Sequence, residues 1–268
     1  MITSSLHNHC ALCDGKDSPE SMLVAANMAG ITDFGLSCHS FCDFDPEMSV
    51  ASERGYIDKI NELKRANTLK TRLYLGAEED YFAPVGFRSE YDYIIGSVHF
   101  VPAGAGLAAV DISESILRDT ADKYYGGDGY KLVEEYYKLV VSEAKRKPDI
   151  IGHFDLIRRY GGGIVDLGGR KYRDVALAAA DECLKTGAIF EVNYGGTETG
   201  AISSPYPEPF LLERIREKGG RVTASTDCHD RRLIANGLDN AGAYLRSLGF
   251  DYVTVMRGGA FTEEKIAD

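Results

Sequence analysis

The 268-residue sequence has no excess of basic residues, because 41 acidic side chains outnumber 30 lysines and arginines and give a formal net charge of −11. A surface that binds nucleic acid or an anionic membrane needs a basic patch, so the charge argues against both kinds of partner. No apolar run approaches the length of a transmembrane helix. The N-terminus also lacks the basic and apolar regions of a signal peptide. We therefore expect a cytoplasmic protein with no membrane partner.

Two further absences narrow the fold and the redox chemistry. Six cysteines in a chain of this length do not indicate a disulfide scaffold, so free thiols are expected. Cys10, Cys13, Cys38 and Cys42 could form an all-thiolate zinc site, but we disfavour this alternative because free cysteine is also a common small hydrophobe. No G-x-G-x-x-G motif follows the first predicted strand, which argues against a dinucleotide-binding fold.

Strand-like and helix-like segments alternate along the chain. Strand–helix–strand repetition predicts a parallel sheet of βα units, and about seven units predict a closed but irregular βα barrel. We find no linker, repeat or low-complexity segment, so we expect an α/β fold in a single domain over residues 1–268. A longer insertion carries two predicted helices, near 112–123 and 129–146. The predicted strands cover residues 3–8, 31–37, 72–76, 91–98, 150–152, 188–192 and 221–225, with a closing strand at 252–256.

Histidines mark the ends of these strands. The first strand ends in His7-x-His9, and residues two apart in a strand project from the same face. Two such imidazoles suit a divalent metal, although an isolated pair is more often a coincidence. All six histidines fall at or just past a predicted strand end, and those ends converge on the active-site face of a βα barrel. With the acidic residues in equivalent places, the candidate metal ligands are His7, His9, Asp14, His39, Glu78, His99, His153, Asp227 and His229.

Six imidazoles and at least three carboxylates are more ligands than one metal ion can use. Sites rich in nitrogen and oxygen suit Zn, Fe, Mn or similar ions. The surplus predicts two or three divalent or trivalent metal ions, with a carboxylate such as Glu78 as a bridge between them. Metal ions about 4 Å apart can clamp both the attacking and the leaving oxygen of a phosphoryl transfer.

Seven short motifs stand in order over nearly the whole chain. They are H-N-H at 7–9, S-C-H at 37–39, G-A-E-E-D at 76–80, G-S-V-H-F at 96–100, I-G-H-F-D-L-I at 151–157, E-V-N at 191–193 and S-T-D-C-H at 225–229. This order of motifs resembles the polymerase and histidinol phosphatase (PHP) family of metal-dependent phosphoesterases. The resemblance implies a distorted (β/α)7 TIM-like barrel with its metal site at the C-terminal ends of the strands. G-S-V-H-F, I-G-H-F-D-L-I and the helical insertion between them are most similar to the histidinol-phosphatase branch.

The resemblance also implies how the ligands are shared and what they do. In-line attack on phosphorus by a hydroxide that bridges two metals is the implied mechanism. Catalytic roles fall to Asp14, Glu78, Asp227 and His229, while the group that protonates the leaving alcohol stays open. Three metal positions are implied: one held by His7, His9, Glu78 and Asp227, one held by Glu78, His99 and His153, and one held by Asp14, His39 and His229.

The chain departs from the family pattern in three places. Ser5 and Cys38 stand where the family commonly has acids, changes that would retune metal affinity. The loop after E-V-N lacks the arginine that the histidinol-phosphatase branch usually carries there. Arg158 or Arg159 could instead make a bidentate contact to phosphate, or the two could be a solvated loop pair. Asn193 could hydrogen-bond a ligand or cap a turn, so these three residues are candidate substrate-binding residues.

We therefore expect a phosphoric monoester hydrolase that acts on a small phosphorylated alcohol. L-Histidinol phosphate, from histidine biosynthesis, is the favoured substrate. A nucleotide or another phosphate ester remains open, as does a metal-dependent amidohydrolase, although no lysine stands at a predicted strand end to serve as the usual carbamate bridge. A metal-binding module without catalysis is a third alternative, but it would predict missing ligands. The sequence leaves the metal identity and the oligomeric state open.

Overall fold

The computed structural model describes residues 1–197, 200 and 202–267. Seven strands form one parallel sheet, in the order Ser4–Ser5, Asp33–Leu36, Arg72–Asp80, Tyr93–Ser97, Ile150–Ile151, Ile189–Asn193 and Val222–Ser225. A parallel bridge between Asn8 and Cys228 joins its two edges, so the sheet nearly closes. The predicted distorted (β/α)7 barrel is confirmed. The strands are β1 Ser4–Ser5, β2 Asp33–Leu36, β3 Arg72–Asp80, β4 Tyr93–Ser97, β5 Phe100–Ala103, β6 Gly106–Ala109, β7 Ile150–Ile151, β8 Ile189–Asn193, β9 Val222–Ser225, β10 Tyr252–Arg257 and β11 Ala260–Lys265.

Helices cover the outside of the barrel, and some of them, including α1 Pro19–Met28 and α3 Glu114–Tyr124, begin at a capping serine. The Ser18 hydroxyl accepts a hydrogen bond from the Ser21 amide at 3.2 Å, and Pro19 occupies the first turn of α1. Ser113 caps α3 in the same way. Within the described residues, no helix combines the length and apolar composition needed to cross a membrane. The helices are α1 Pro19–Met28, α2 Glu53–Ala66, α3 Glu114–Tyr124, α4 Gly129–Ala144, α5 Arg158–Gly161, α6 Arg170–Leu184, α7 Pro209–Glu217 and α8 Leu238–Ser247.

The last predicted strand forms, but it does not belong to the barrel. β10 pairs antiparallel with β11, so the predicted closing strand lies outside the parallel sheet. The reason is a tight turn at Gly258 and Gly259, whose φ angles of 62° and 88° return the chain onto itself. Met256 of this hairpin packs with Leu6 and other barrel residues in one buried cluster, which places the hairpin against the barrel interior.

Two glycines in the barrel make room for a tyrosine that supports the first strand. A Cβ atom at Gly35 would lie 2.0 Å from Tyr93 Oη, and one at Gly76 would lie 2.2 Å from Tyr93 Cζ. The buried Tyr93 hydroxyl donates a hydrogen bond to the carbonyl oxygen of Leu6. Because Leu6 immediately precedes His7, this contact fixes the backbone that leads into the candidate site.

Candidate active site

The strand ends of the barrel open onto one cavity of about 590 Å³. Its wall contains Glu78 of β3 and residues that follow β2, β4, β7 and β9, as expected for a βα barrel. His7 and His9, which follow β1, are fully buried and contact Glu78 on the cavity wall. The structure thus brings all nine predicted ligands into one place. The seven that line the cavity are Asp14, His39, Glu78, His99, His153, Asp227 and His229.

Glu78 lies between two pairs of imidazoles. Its Oε2 atom is 3.1 Å from His7 Nε2 and 3.3 Å from His9 Nε2. Its Oε1 atom is 2.8 Å from His153 Nε2 and 3.2 Å from His99 Nε2. The two oxygens of one buried carboxylate therefore face different pairs of nitrogen ligands, which is the arrangement that a bridging carboxylate requires.

A second group lies nearer to solvent. Asp14 Oδ2 is 3.2 Å from His229 Nε2 and 3.7 Å from His39 Nε2. The side chains of Asp14 and His229 are about a third exposed, at 31% and 33%, unlike the buried ligands around Glu78. His9 also joins this group, with one ligand atom from each of the four residues within 4.8 Å of the others. That contribution of His9 was not expected from the sequence.

The remaining candidate ligands also group differently from the three metal positions that the resemblance implies. His153 forms a close group with His7 and Asp227, although its ring is also 4.9 Å from that of His99. His39 Nδ1 lies 3.0 Å from Glu78 Oε2, so His39 reaches the buried group as well as Asp14. One carboxylate and its neighbours therefore connect all the groups into a single cluster.

Several buried atoms in this cluster lack hydrogen-bond partners among the described residues. Four of them are His7 Nε2, His9 Nε2, His39 Nδ1 and Glu78 Oε2. Buried polar atoms are nearly always satisfied, so unsatisfied ones that converge call for a missing ion or water. Nitrogen and oxygen donors at this density fit zinc, manganese or iron. The buried clusters of histidine and acidic residues could hold several metal ions.

Two carboxylates that the sequence analysis did not single out orient the histidines. Glu191 Oε1 accepts a hydrogen bond from His7 Nδ1 at 2.7 Å. Asp80 Oδ2 lies 3.3 Å from His99 Nδ1 and accepts the His99 amide hydrogen at 2.9 Å. An ionised carboxylate can only accept, so it keeps the proton on Nδ1 and leaves Nε2 free as a ligand atom.

The two-residue repeat of a strand could have identified both carboxylates. Asp80 lies two residues after Glu78 on β3, and Glu191 lies two residues before Asn193 on β8. Residues at this spacing share a face of the strand. The signal was therefore present in G-A-E-E-D and E-V-N, but it does not show which histidine each carboxylate contacts.

Asp227 has a backbone conformation that is uncommon for a residue other than glycine. Its φ angle is 50°, in the left-handed region, and such conformations concentrate at functional sites. Its Oδ1 atom lies 3.2 Å from His9 Nε2. Asn193 Nδ2 donates to Asp227 Oδ2 at 3.1 Å and to Glu191 Oε2 at 2.9 Å. Asn193 does not line the cavity, and its amide instead holds two carboxylates in position.

Opposite charges shift the pKa values of the side chains in this cluster. Burial by itself would lower the pKa of His7, but the carboxylates of Asp227 and Glu191 raise it well above the usual value. Burial would raise the pKa of Glu78, but the imidazoles of His7 and His39 hold it well below the usual value. Protons and metal ions therefore compete for the same imidazoles.

The two candidate phosphate-binding arginines lie in different environments. Arg158 is buried and donates to Ser204 Oγ at 3.1 Å and to the carbonyl oxygen of Pro205 at 3.0 Å. Its Nε atom is 3.2 Å from Asp155 Oδ2. Arg158 therefore holds the chain before α7 and is absent from the cavity wall, whereas Arg159 is part of that wall.

Three of the four cysteines considered for a zinc site do cluster. Cys13 Sγ lies 2.7 Å from Cys38 Sγ, which in turn lies 3.5 Å from Cys10 Sγ. Cys42 makes none of these contacts in the described part of the chain, so the all-thiolate site lacks its fourth ligand. None of the six cysteines forms a disulfide, as expected.

Comparisons with known proteins agree with this geometry. The model of the PHP domain family matches residues 5–195. The chain is 24% identical over 282 residues to a probable histidinol-phosphatase of Schizosaccharomyces pombe, covering 95% of this chain and 90% of the relative. It is 26% identical over 261 residues to a probable histidinol-phosphatase of Deinococcus radiodurans, covering 92% of this chain and 94% of the relative.

Among solved structures, the chain is similar to the histidinol phosphate phosphatase of Lactococcus lactis, which was crystallised with zinc, L-histidinol and phosphate. The TM-score is 0.68, with 18% sequence identity over 98% of this chain and 100% of the other. At this identity, the similarity shows that the two proteins share a fold.

Proposed function

The chain belongs to the PHP domain family, and we propose that it is a metal-dependent phosphomonoesterase that hydrolyses L-histidinol phosphate to L-histidinol and phosphate. The observation that carries the proposal is the buried Glu78 carboxylate, with imidazoles at both of its oxygens, on the wall of a cavity of about 590 Å³. The choice of substrate is supported by the two curated relatives and by the ligands of the Lactococcus protein.

Two or three metal ions would be held by the nine clustered side chains. Bound zinc, iron or manganese would neutralise charge on the phosphoryl oxygens and lower the pKa of water. The chain itself supplies the orientation: Glu191 and Asp80 keep His7 and His99 in the tautomer that presents Nε2. The ligands that would hold the ions are His7, His9, Asp14, His39, Glu78, His99, His153, Asp227 and His229.

Arg159 is the cationic side chain on the cavity wall that could bind the phosphoryl group. A guanidinium presents paired N–H donors that match two phosphate oxygens. Arg158, with its donors directed to Ser204 and Pro205, would act on this site only by holding the neighbouring backbone. Asn193 would position Asp227 rather than contact the substrate.

The rest of the cavity suits a leaving group that is both cationic and partly apolar. Asp45, Glu47 and Asp111 line it, together with Phe100 and Ile112. The carboxylates would attract the ammonium group of L-histidinol phosphate. The same carboxylates would repel the additional phosphates of a nucleotide, which favours the amino alcohol ester within the phosphoesterase class.

Phosphate release from a panel of esters tests the proposal. The protein is loaded separately with zinc, manganese and iron, and its metal content is measured before each assay. We expect the highest kcat/KM with L-histidinol phosphate, lower values with nucleotides and sugar phosphates, and no release after chelation. Protein that carries at least two metal ions per chain and releases phosphate from no ester would refute the phosphatase assignment. Hydrolysis of a parallel panel of cyclic amides would then favour the amidohydrolase alternative.

A further inference from the structure

Tyr206 is a buried cavity residue whose hydroxyl has no hydrogen-bond partner in the described part of the chain. The residue is 2% exposed and lines the same cavity as Arg159 and the candidate ligands. A buried tyrosine hydroxyl usually finds a partner, because burial without one costs free energy. The position of Tyr206 on the wall indicates that the missing partner enters from the cavity.

The backbone of Tyr206 is held rigidly at the end of β8. Its amide donates to the Asn193 carbonyl at 2.9 Å, and its own carbonyl accepts from the Asn193 amide at 2.8 Å. Arg158 Cζ lies 4.9 Å from the centre of the Tyr206 ring, and the same guanidinium binds the carbonyl of Pro205. The ring is 6.4 Å from that of His153, a candidate ligand. The phenol is therefore fixed beside the site before any substrate binds.

The surroundings of this phenol suit an anion. Arg159 lines the same cavity, and its Nε atom also lacks a hydrogen-bond partner among the described residues. Burial raises the pKa of Tyr206, so the phenol keeps its proton at neutral pH and can donate it in a hydrogen bond. Gly196 is close by: a Cβ atom there would lie 3.0 Å from Tyr206 Oη, so a side chain at this position would crowd the hydroxyl.

We propose that Tyr206 Oη donates a hydrogen bond to a phosphoryl oxygen of the substrate, next to the Arg159 guanidinium. The pair would replace the phosphate contact of the arginine that the loop after Asn193 does not carry. This inference rests on the proposed function, because it places a phosphomonoester in the cavity. Tyr206 is thus assigned as a substrate-binding residue that recognises the dianionic phosphoryl group.

The matched substitutions Tyr206→Phe and Tyr194→Phe test this role. Tyr194 lies on the same loop and its buried hydroxyl also has no partner among the described residues, but Tyr194 does not line the cavity. A hydrogen bond to a charged group contributes enough to change kcat/KM by about 10- to 150-fold. We expect Tyr206→Phe to lower kcat/KM for L-histidinol phosphate, and to weaken binding of inorganic phosphate to the metal-loaded protein, by factors in this range. Tyr194→Phe should change neither value by more than about twofold, and both variants should keep their metal content and Tm.

The outcomes separate this inference from the proposed function. If the wild type is active and Tyr206→Phe keeps its kcat/KM and phosphate affinity within twofold of the wild-type values, the inference about Tyr206 fails. The proposed function then stands. Equal losses in the two variants, or loss of metal from Tyr206→Phe, would assign the phenol a structural role and also overturn it. If the wild type hydrolyses no ester but binds inorganic phosphate in a Tyr206-dependent way, the phosphoryl contact stands while the phosphatase proposal fails. Absence of phosphate binding to the metal-loaded wild type would overturn the contact as well.

Discussion

Replacing Glu191 with glutamine would change the charge and hydrogen bonding at the base of the site while keeping the shape of the side chain. Glu191 is 1% exposed, and each of its oxygens accepts two hydrogen bonds. Oε1 accepts from His7 Nδ1 at 2.7 Å and from the Ser225 hydroxyl, while Oε2 accepts from the His153 amide at 2.8 Å and Asn193 Nδ2 at 2.9 Å. A glutamine must place an NH2 group at one of these two oxygen positions. At least one of the groups that now donate to Glu191 would then face the NH2 group, which is itself a donor.

The consequence depends on which way the new amide turns. If its NH2 group faces His7, the imidazole can accept only by moving its own proton to Nε2, which removes that nitrogen as a metal ligand. If the NH2 group faces the other side, it opposes the backbone amide of His153, which has no alternative tautomer. Either orientation disturbs a candidate ligand, because both histidines belong to the cluster around Glu78.

The expected magnitudes follow from these contacts. An unsatisfied buried donor costs about 1–3 kcal/mol, so Glu191→Gln should lower the free energy of unfolding by about 2 kcal/mol. For a chain of this size, that corresponds to a fall in Tm of roughly 4–8 °C. Loss of a carboxylate that orients a ligand histidine typically weakens metal affinity by about 10- to 100-fold.

Zinc affinity by competition with a chelating dye and Tm by calorimetry would measure both effects. Glu182→Gln is the matched control, because Glu182 lies on the outer helix α6, where its exposed carboxylate pairs with Lys185. Such a surface change should alter the stability by less than about 0.5 kcal/mol. A Glu191→Gln protein with wild-type zinc affinity and a Tm within 1 °C of the wild type would refute the reasoning.

Three further perturbations have definite expected results. Full chelation should abolish phosphate release and lower the Tm by several degrees, because ions that bind only the folded state stabilise it. An unchanged Tm in protein that elemental analysis shows to be free of metal would contradict this expectation. Arg158→Met should destabilise the protein by roughly 1–3 kcal/mol and raise KM, because the carbonyls of Ser204 and Pro205 lose their donor. Calorimetry would measure the loss of stability and steady-state kinetics the change in KM. An unchanged KM would argue against a positioning role for Arg158. Burial raises the pKa of the Glu143 carboxyl to about 8, from an ordinary value of 4.5, and nearby Glu79 adds to the shift. The folded state therefore binds this proton more tightly than the unfolded state, and the stability it contributes is complete below pH 4.5 and lost as the pH rises through about 8. Glu143→Gln should reduce the loss of Tm between pH 5.5 and pH 8.5, and equal pH slopes for the two proteins would exclude this account.

Much of the fold could be predicted from the sequence because its signals are local. Alternation of strand-like and helix-like segments predicted the parallel barrel, and the barrel rule then placed all six histidines on one face. The hairpin of β10 and β11 shows the limit of this reasoning. An apolar strand at the end of the chain looks the same whether it joins a barrel or folds back on itself, and the Gly258–Gly259 turn decided between the two.

The candidate site divides in a similar way. The sequence by itself determined which residue types stand at the strand ends, and it predicted Glu78 as the carboxylate shared between metal positions. Only the tertiary structure decided which partner each side chain meets: Glu191 reaches His7 across 184 positions of sequence, Arg158 turns away to Ser204, and Tyr206 faces the cavity. Strand periodicity specifies a face of the sheet, whereas partner and distance depend on how the strands pack around the barrel. A motif can therefore identify candidate ligands, but the contacts that orient them arise from residues far apart in the chain.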